Sequence, residues 1–480
     1  MSEEEKKIEV QDGTDASAPK DDSVADKTDD KPETKPEPTA DKPAESGGKK
    51  KTLIIVGVVV LVLLLAGGAW MMFGGKNKEA KEVPGQQKAG QVGEKSTTGD
   101  QFSTDPVARG KYLSLDQCTG EGSKKLGSAP MKMSDVSIIE PLGLVAGGHV
   151  TPVDHEYFYG KNQKAAASTY DVLAPADGTI VSVEVRPKAT GPSDYRVVIS
   201  YSCTFFSYFD LANSLSDTIA AKMPAGYATK NGPQKVSITV KQGDVLAKVG
   251  GQSLDFAVWD TTKTLSGLLV PAAYNNTEPW KINTVRPLDY YEDSVKTAVL
   301  PYYVRSVEPR DGKIDYDVDG YAVGNWFKKG TNGYIGAYKQ TEYNTMTYAD
   351  GHLSIAPDFL DPTAWVFSTG SVNHGTQYAI KAPSTTPDKL ASGGAAVKYE
   401  LLQLEHLDQT GTKWLGGSVP TAITVNLKGQ TVGTALVQLT AKREMKVEVF
   451  VGKTPAQVTT FDGSAIVYTR GDGATIMANK

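Results

Sequence analysis

The chain has no excess of positive charge. Its 51 lysines and arginines face 56 aspartates and glutamates, a formal net charge of −5. No basic cluster occurs in the part that should fold, which excludes nucleic acid as a partner. Cysteine is nearly absent: there are two, Cys118 and Cys203. In an oxidising compartment they could pair, and so long a loop would restrict the unfolded chain by ~4.5 kcal/mol in the entropy picture. Two half-buried free thiols fit the sequence equally well, because nothing in it places the two Cα atoms within bridging distance. Apolar runs are short after residue 130, and no internal repeat stands out. Histidine is sparse, and His352, His374 and His406 lack ligand spacing and read as ordinary.

What is present divides the chain. At 480 residues it is too long for one core, so two to four domains are expected. Residues 1–52 are rich in Lys, Glu, Asp, Pro and Thr and cannot bury enough surface to offset their ordering entropy. They are expected to form a disordered cytoplasmic tail. Residues 53–73, LIIVGVVVLVLLLAGGAWMMF, carry no charge and no polar stripe. As a helix this run is ~32 Å long, which matches a hydrocarbon core. It follows a long polar segment, unlike a cleaved signal peptide. Lys49, Lys50 and Lys51 abut its start, whereas Lys76, Lys78 and Lys81 after it are diluted by Glu79 and Glu82. The bias places the tail inside and the bulk outside, in a single-pass membrane protein. Residues 74–107 read as a flexible tether. The remainder, rich in Gly and Pro, reads as an all-β ectodomain: a domain at 108–300, a β domain at 301–392 and a C-terminal β domain at 393–480. The Ser, Thr, Pro and Gly of 383–394 suggest a linker. Within 314–320, Ile314, Tyr316 and Val318 alternate with aspartates. That fits a strand ending in an Asp-Gly turn better than a calcium loop, whose twelfth position would be Trp326.

The stretch from Ala174 to Asp260 organises the rest. Ala174-Pro175-Ala176-Asp177-Gly178 precedes Thr179 to Val185, and Gln242-Gly243-Asp244 precedes Val245 to Val249. Each reads as a glycine-turn hairpin, and two wrapped hairpins make a small β-sandwich. The aromatic run from Tyr195 to Phe209 reads as a strand pair filling that core.

These residues carry a resemblance. Residues 135–262 resemble the LytM-like M23 zinc endopeptidases, in which a His-x-x-x-Asp pair precedes an Ala-Pro-x-x-Gly-x-Val hairpin. A Tyr-x-His and a final His-x-His-Phe-Glu-Val strand follow there. Here His149 and Asp154 stand for the first pair, with one extra residue between them, and Ala174 to Val181 matches the hairpin. Tyr208-Phe209-Asp210 falls on Tyr-x-His, so Asp210 replaces a catalytic histidine. Ser253-Leu254-Asp255-Phe256 falls on the last motif, so Ser253 replaces the other catalytic histidine and Asp255 a zinc ligand. The resemblance implies a duplicated-hairpin β-sandwich. His149, Asp154 and Asp255 could hold zinc through one nitrogen and two oxygens, with His155 as a substitute ligand. No histidine remains at either acid–base position. The other reading of His149 and His155 is turn-stabilising hydrogen bonds.

The expected role is therefore non-catalytic, with no cofactor: binding or scaffolding of cell-envelope peptidoglycan, with a wall component or a membrane protein as partner. An active metal-dependent endopeptidase is the first alternative. A transport adaptor is the second, because adaptors and lipoyl or biotinyl domains share the Ala-Pro-x-Asp-Gly-x-Val pattern. No lysine stands in the turn at Asp177-Gly178 to carry such a group, and the long heptad hairpin of adaptors is missing.

Overall fold

The computed structural model describes residues 99–471, apart from 189, 231, 276, 332 and 336–347. The tail at 1–52, the apolar span at 53–73 and the tether up to residue 98 lie outside the described residues. Among the described residues no helix is long and apolar enough to cross a membrane. They are mostly β, in two bodies joined by an irregular connector.

Helix α1 (Pro106–Leu113) opens the first body, two residues before the expected boundary. Asp105 caps it by accepting the Val107 N–H at 3.1 Å, and Pro106 supplies a pre-set φ at the first turn. Eleven strands follow: β1 (Val136–Glu140), β2 (Glu156–Gly160), β3 (Tyr170–Leu173), β4 (Gly178–Arg186), β5 (Asp194–Ser202), β6 (Phe205–Ala212), β7 (Ser214–Leu215), β8 (Gly232–Val240), β9 (Val245–Val249), β10 (Leu254–Asp260) and β11 (Thr284–Val285). A large antiparallel sheet runs β1-β2-β10-β6-β5-β4-β8, with β11 added to β10. A small sheet runs β3-β9-β7. Between them lies the main core, with Ile180, Val183, Val197, Phe209, Phe256 and Val258 of the large sheet against Val172, Leu246 and Val249 of the small one. Each such side chain contributes ~1.5–3 kcal/mol on burial.

The two expected hairpins are corners instead. Ala174 to Asp177 carries the chain from β3 in the small sheet to β4 in the large one, and Lys241 to Asp244 carries it back from β8 to β9. The corners lie side by side. Ala174 and the 243–244 segment exchange backbone bonds of 2.9 Å, and Asp177 accepts the Gln242 N–H and the Lys241 ammonium, both at 2.9 Å. Gly243 has φ of +83°, as a glycine turn requires, but Gly178 is needed for space: a Cβ there would sit 2.7 Å from the Ile199 side chain. The aromatic run does form a strand pair, β5–β6. Cys118 and Cys203 form a disulfide with Cα atoms 4.8 Å apart, which ties the segment after α1 to the β5–β6 turn.

The second body is a closed barrel. Its strands are β12 (Gly324–Lys328), β13 (His352–Pro357), β14 (Trp365–Thr369), β15 (Thr376–Ile380), β16 (Val397–Gln403), β19 (Thr431–Ala441), β20 (Glu444–Val451) and β21 (Ile466–Thr469). A side hairpin, β17 (His406–Asp408) with β18 (Ile423–Val425), stands beside it. The barrel draws strands from both sides of the boundary expected at 392/393, so 301–392 and 393–480 are not separate domains. The Ser/Thr/Pro/Gly segment is the β15–β16 connection. Trp326, Phe367, Tyr399, Leu401, Val437 and Tyr468 fill the interior.

Residues 314–318 do not form the expected strand. Asp317 is buried and accepts the Asn325 and Leu269 N–H groups at 2.6 and 3.1 Å, while Val318 is exposed. The aspartate's lone pairs are worth more to the neighbouring backbone than the valine's methyl groups are to the core. Leu268, Ile282 and Tyr274 of the first body pack with Phe327 and Tyr334 of the second. Ile138 and Val304 pack with Phe359, Leu360 and Ile423.

Candidate functional site

Strand alternation builds the site. On β10, Leu254, Phe256 and Val258 face the main core, so Asp255, Ala257 and Trp259 face the other way. On β6, Phe205 and Phe209 face the core, and Phe206, Tyr208 and Asp210 share the outer face. Antiparallel register sets Asp255 directly opposite Asp210 on one side and Tyr157 of β2 on the other. The loop at 149–155 leads into β2 and carries His149, Asp154 and His155 to the same face.

Two charge clusters result. In the first, the His155 ring lies between two carboxylates. Its Nδ1 is 3.2 Å from Asp154 Oδ1, its Nε2 is 3.3 Å from Asp255 Oδ2, and Nε2 is also 3.1 Å from the Tyr157 hydroxyl. Burial opposes charge on this imidazole, but Asp255 and Asp154 outweigh it and hold its pKa above the usual value. Burial lifts the Asp255 carboxyl to about 6 even with His155 pulling the other way. Asp154 lies below the usual carboxylate range: burial acts to raise it, and Lys281 and His155 overcome that effect. His149 is driven down to about 4 by burial, then by the charges of His155 and Lys281, so it is neutral at pH 7. Its ring centroid lies 6.5 Å from that of His155. One oxygen of each carboxylate, Asp154 Oδ2 and Asp255 Oδ1, is buried without a hydrogen bond.

The second cluster surrounds Asp210. Oδ2 accepts Arg196 Nε at 3.0 Å, Arg196 Nη2 at 2.9 Å and the Tyr208 hydroxyl at 2.7 Å. Oδ1 accepts Arg186 and the Leu211 N–H, the latter at 2.7 Å. A carboxylate so fully occupied, and 2% exposed, has no lone pair left to take a proton from a water or substrate. Ser253, at the other acid–base position of the resembled family, is 1% exposed at the start of β10.

A lid closes over this face. The Trp280 indole stacks on Trp259 with centroids 5.3 Å apart, and the Arg196 guanidinium lies 5.2 Å from the Tyr208 centroid and 5.6 Å from that of Trp280. Arg109 of α1 ties the lid down: Nε donates to Asn283 Oδ1 and Nη2 to Asn275 Oδ1, both at 2.5 Å, and Nη2 also to the Pro279 carbonyl at 2.6 Å.

The expected ligand set comes together only in part. Asp154 and Asp255 converge, but on His155 rather than on a shared point with His149. Among the described residues no group of three or more His, Cys, Asp or Glu is placed to hold a metal ion. The free oxygens of Asp154 and Asp255 are hard donors, yet the imidazole already takes up the space and the charge between them. The three residues as arranged do not fit zinc. His352, His374 and His406 each meet another partner: the Tyr334 carbonyl at 2.7 Å, Asp350 at 2.8 Å and Asp358 at 2.9 Å.

Sequence reasoning missed Arg186, Arg196, Tyr157 and Lys281. A signal was there for the arginines. Each is a long cation in an otherwise alternating apolar strand, and such a residue needs an acid across the sheet. Lys281 gave none, since it acts from a loop distant in sequence.

No protein-family model matches this chain, and no curated protein matches it. Among solved structures six chains match. One of them, described as the NMR solution structure of lysostaphin, is 9% identical, with 74% of this chain and 91% of that chain covered and a TM-score of 0.18. A likeness at that score carries no argument about function.

Proposed function

We propose that this is a single-pass, membrane-anchored protein of the cell envelope whose LytM-like domain binds or scaffolds peptidoglycan without cutting it. The observation that carries this reading is the place of the His155 imidazole. It stands between Asp154 and Asp255, 3.2 and 3.3 Å from them, where the resembled peptidases put a metal, and both carboxylates favour its charged form. The locked state of Asp210 supports it, because a general base needs a free lone pair within reach of the proton it takes. The anchor rests on the uncharged run at 53–73, and the extracytoplasmic side on the lysines before it and on the disulfide, which an oxidising compartment favours.

Metal analysis of the purified full chain, beside incubation with isolated cell-wall sacculi, tests this. The protein is expected to carry far less than one equivalent of zinc, to sediment with the sacculi, and to release no soluble fragments. One equivalent of zinc that disappears in His149→Ala, or steady release of wall fragments, would sink the reading in favour of an active endopeptidase.

A further inference from the structure

The lid segment at 277–283 lies on the His155 face as a guest would. Its Trp280 indole stacks on the Trp259 ring at 5.3 Å and on the Tyr208 ring at 6.1 Å, in planes tilted by only 19° and 25°. Its charges suit the groups around it. The Glu278 carboxylate favours the charged forms of Arg196 and His155. Lys281 is 2% exposed, with its ammonium 3.3 Å from Glu278, and its charge helps to keep Asp154 ionised. A ring on an aromatic platform, an acid acting on a guanidinium and an amine acting on a carboxylate are interactions equally open to an external ligand.

The closed lid leaves polar groups unmet. Trp259 Nε1, Asp154 Oδ2 and Asp255 Oδ1 on the face, and Thr277 Oγ1 on the lid, are buried without a hydrogen bond. Each such group costs ~1–3 kcal/mol, so the closed state is not secured by its own polar fit. It is secured from the side, by Arg109. Besides its bonds to Asn275, Pro279 and Asn283, this guanidinium donates from Nη1 to the carbonyls of Gln101 at 2.7 Å and Ser103 at 3.5 Å. All five acceptors are carbonyl oxygens and none is a carboxylate. Burial takes the Arg109 pKa down to about 10. A cation buried among neutral acceptors bears a desolvation cost of several kcal/mol, which makes the tie releasable.

The same side chain joins the lid to the segment that enters α1. Residues 99–103 fold back along that helix: the Asp100 N–H donates to the Ala108 carbonyl at 3.1 Å, and a Cβ on Gly99 would sit 2.3 Å from the Tyr112 nitrogen. Displacing this segment removes two of the five bonds that fix Arg109. We propose that Arg109 is the latch of an autoinhibitory lid: while it clips 277–283 to residues 101–103, the lid occupies the ligand face of the LytM-like domain, and a ligand binds there only after the latch releases. The identity of the ligand rests on the peptidoglycan reading above; the latch does not. Apparent affinity then equals the intrinsic affinity of the face scaled by the fraction of molecules whose lid is open.

Two measurements on the full chain test it, with Arg109→Gln and Trp280→Ala beside the wild type. Amide hydrogen exchange reads the lid directly: Arg109→Gln is expected to raise exchange at 277–283 about tenfold while β4 and β5 keep their protection. Sedimentation with isolated sacculi reads the face: Arg109→Gln is expected to reach half-saturation at about tenfold lower concentration than the wild type. Trp280→Ala keeps the latch and removes the stacked ring, so it should also bind more tightly, with exchange in Pro106–Leu113 unchanged. It decides the matter should Arg109→Gln lose protection throughout. Wild-type exchange at 277–283 in an otherwise protected Arg109→Gln, or sacculus binding no tighter than wild type in both variants, would overturn the proposal. If none of the three proteins sediments, the peptidoglycan reading falls, and the latch stands or falls by exchange at 277–283.

Discussion

Single side chains decide how this protein answers to pH. His352 is 1% exposed, its Nε2 is 2.7 Å from the Tyr334 carbonyl oxygen, and its ring packs against Phe327 and Tyr334. Burial drives its pKa down to about 3, and the Tyr334 carbonyl recovers only part of that loss. In the unfolded chain the same imidazole titrates near ~6.5. Between those values the unfolded state binds the proton and the native state does not, so stability is complete above pH ~6.5 and falls as pH drops towards 3. One such group costs at most about 1.4 kcal/mol per pH unit in that window. His149, held at about 4, adds to the same trend. Urea unfolding at pH 7, 5.5 and 4.5 is expected to show the wild type losing stability relative to His352→Gln, which keeps a donor for Tyr334 but cannot titrate. Parallel lines for the two proteins would remove the assignment. At this scale much could be read in advance. That Asp210 and Ser253 stand where the resembled peptidases carry histidines is in the sequence itself. That His155 lies between Asp154 and Asp255 is not, because the register joining a loop to β10 is set by pairing across a hundred residues.

At the scale of elements, α1 is the piece to watch. Its apolar content is small, and it holds its place through three ties: the disulfide, Arg109, and Gly110, whose missing Cβ would fall 1.5 Å from the Cys203 carbonyl oxygen. A bridge across 85 residues constrains the unfolded chain by up to ~4.5 kcal/mol. Replacing both cysteines by serine is expected to lower overall stability by ~2–4 kcal/mol. It should also raise amide hydrogen exchange selectively in Pro106–Leu113 and in the Trp280 lid. Unchanged exchange in both segments would mean that the Arg109 hydrogen bonds suffice. The β-class of the fold was legible from short alternating runs, but their partners were not. A hairpin turn and a corner between two sheets share the same Asp-Gly composition, and only the far partner distinguishes them. Alternation likewise promised a strand at 314–318, where local bonds to Asp317 prevail.

For the whole molecule, the issue is whether two bodies behave as one. Composition suggested three separate ectodomain modules, because a Ser/Thr/Pro/Gly stretch inside a barrel looks the same as a linker between domains. The contacts argue for strong coupling. Two apolar clusters draw residues from both bodies, one around Tyr274, Phe327 and Tyr334 and the other around Ile138, Val304 and Phe359. Polar ties join them as well: Gln377 of the barrel exchanges bonds of 2.9 and 3.0 Å with the backbone of Gly147, and Arg305 donates to the Phe359 carbonyl at 2.6 Å. Losing one body would expose these faces on the other, at ~25 cal/mol for every Å² of apolar surface returned to water. Coupling of that kind merges two melting transitions into one whenever the shared interface is worth more than the difference between the bodies' own stabilities. Scanning calorimetry of the full chain is therefore expected to give one endotherm with matching calorimetric and van't Hoff enthalpies. Phe359→Ala, which removes a 5% exposed ring from the second cluster at a cost of ~3–5 kcal/mol, is expected to split it. Two transitions in the wild type would show that the interface is too weak to couple the bodies, and that the lid over the His155 face unfolds independently of the barrel.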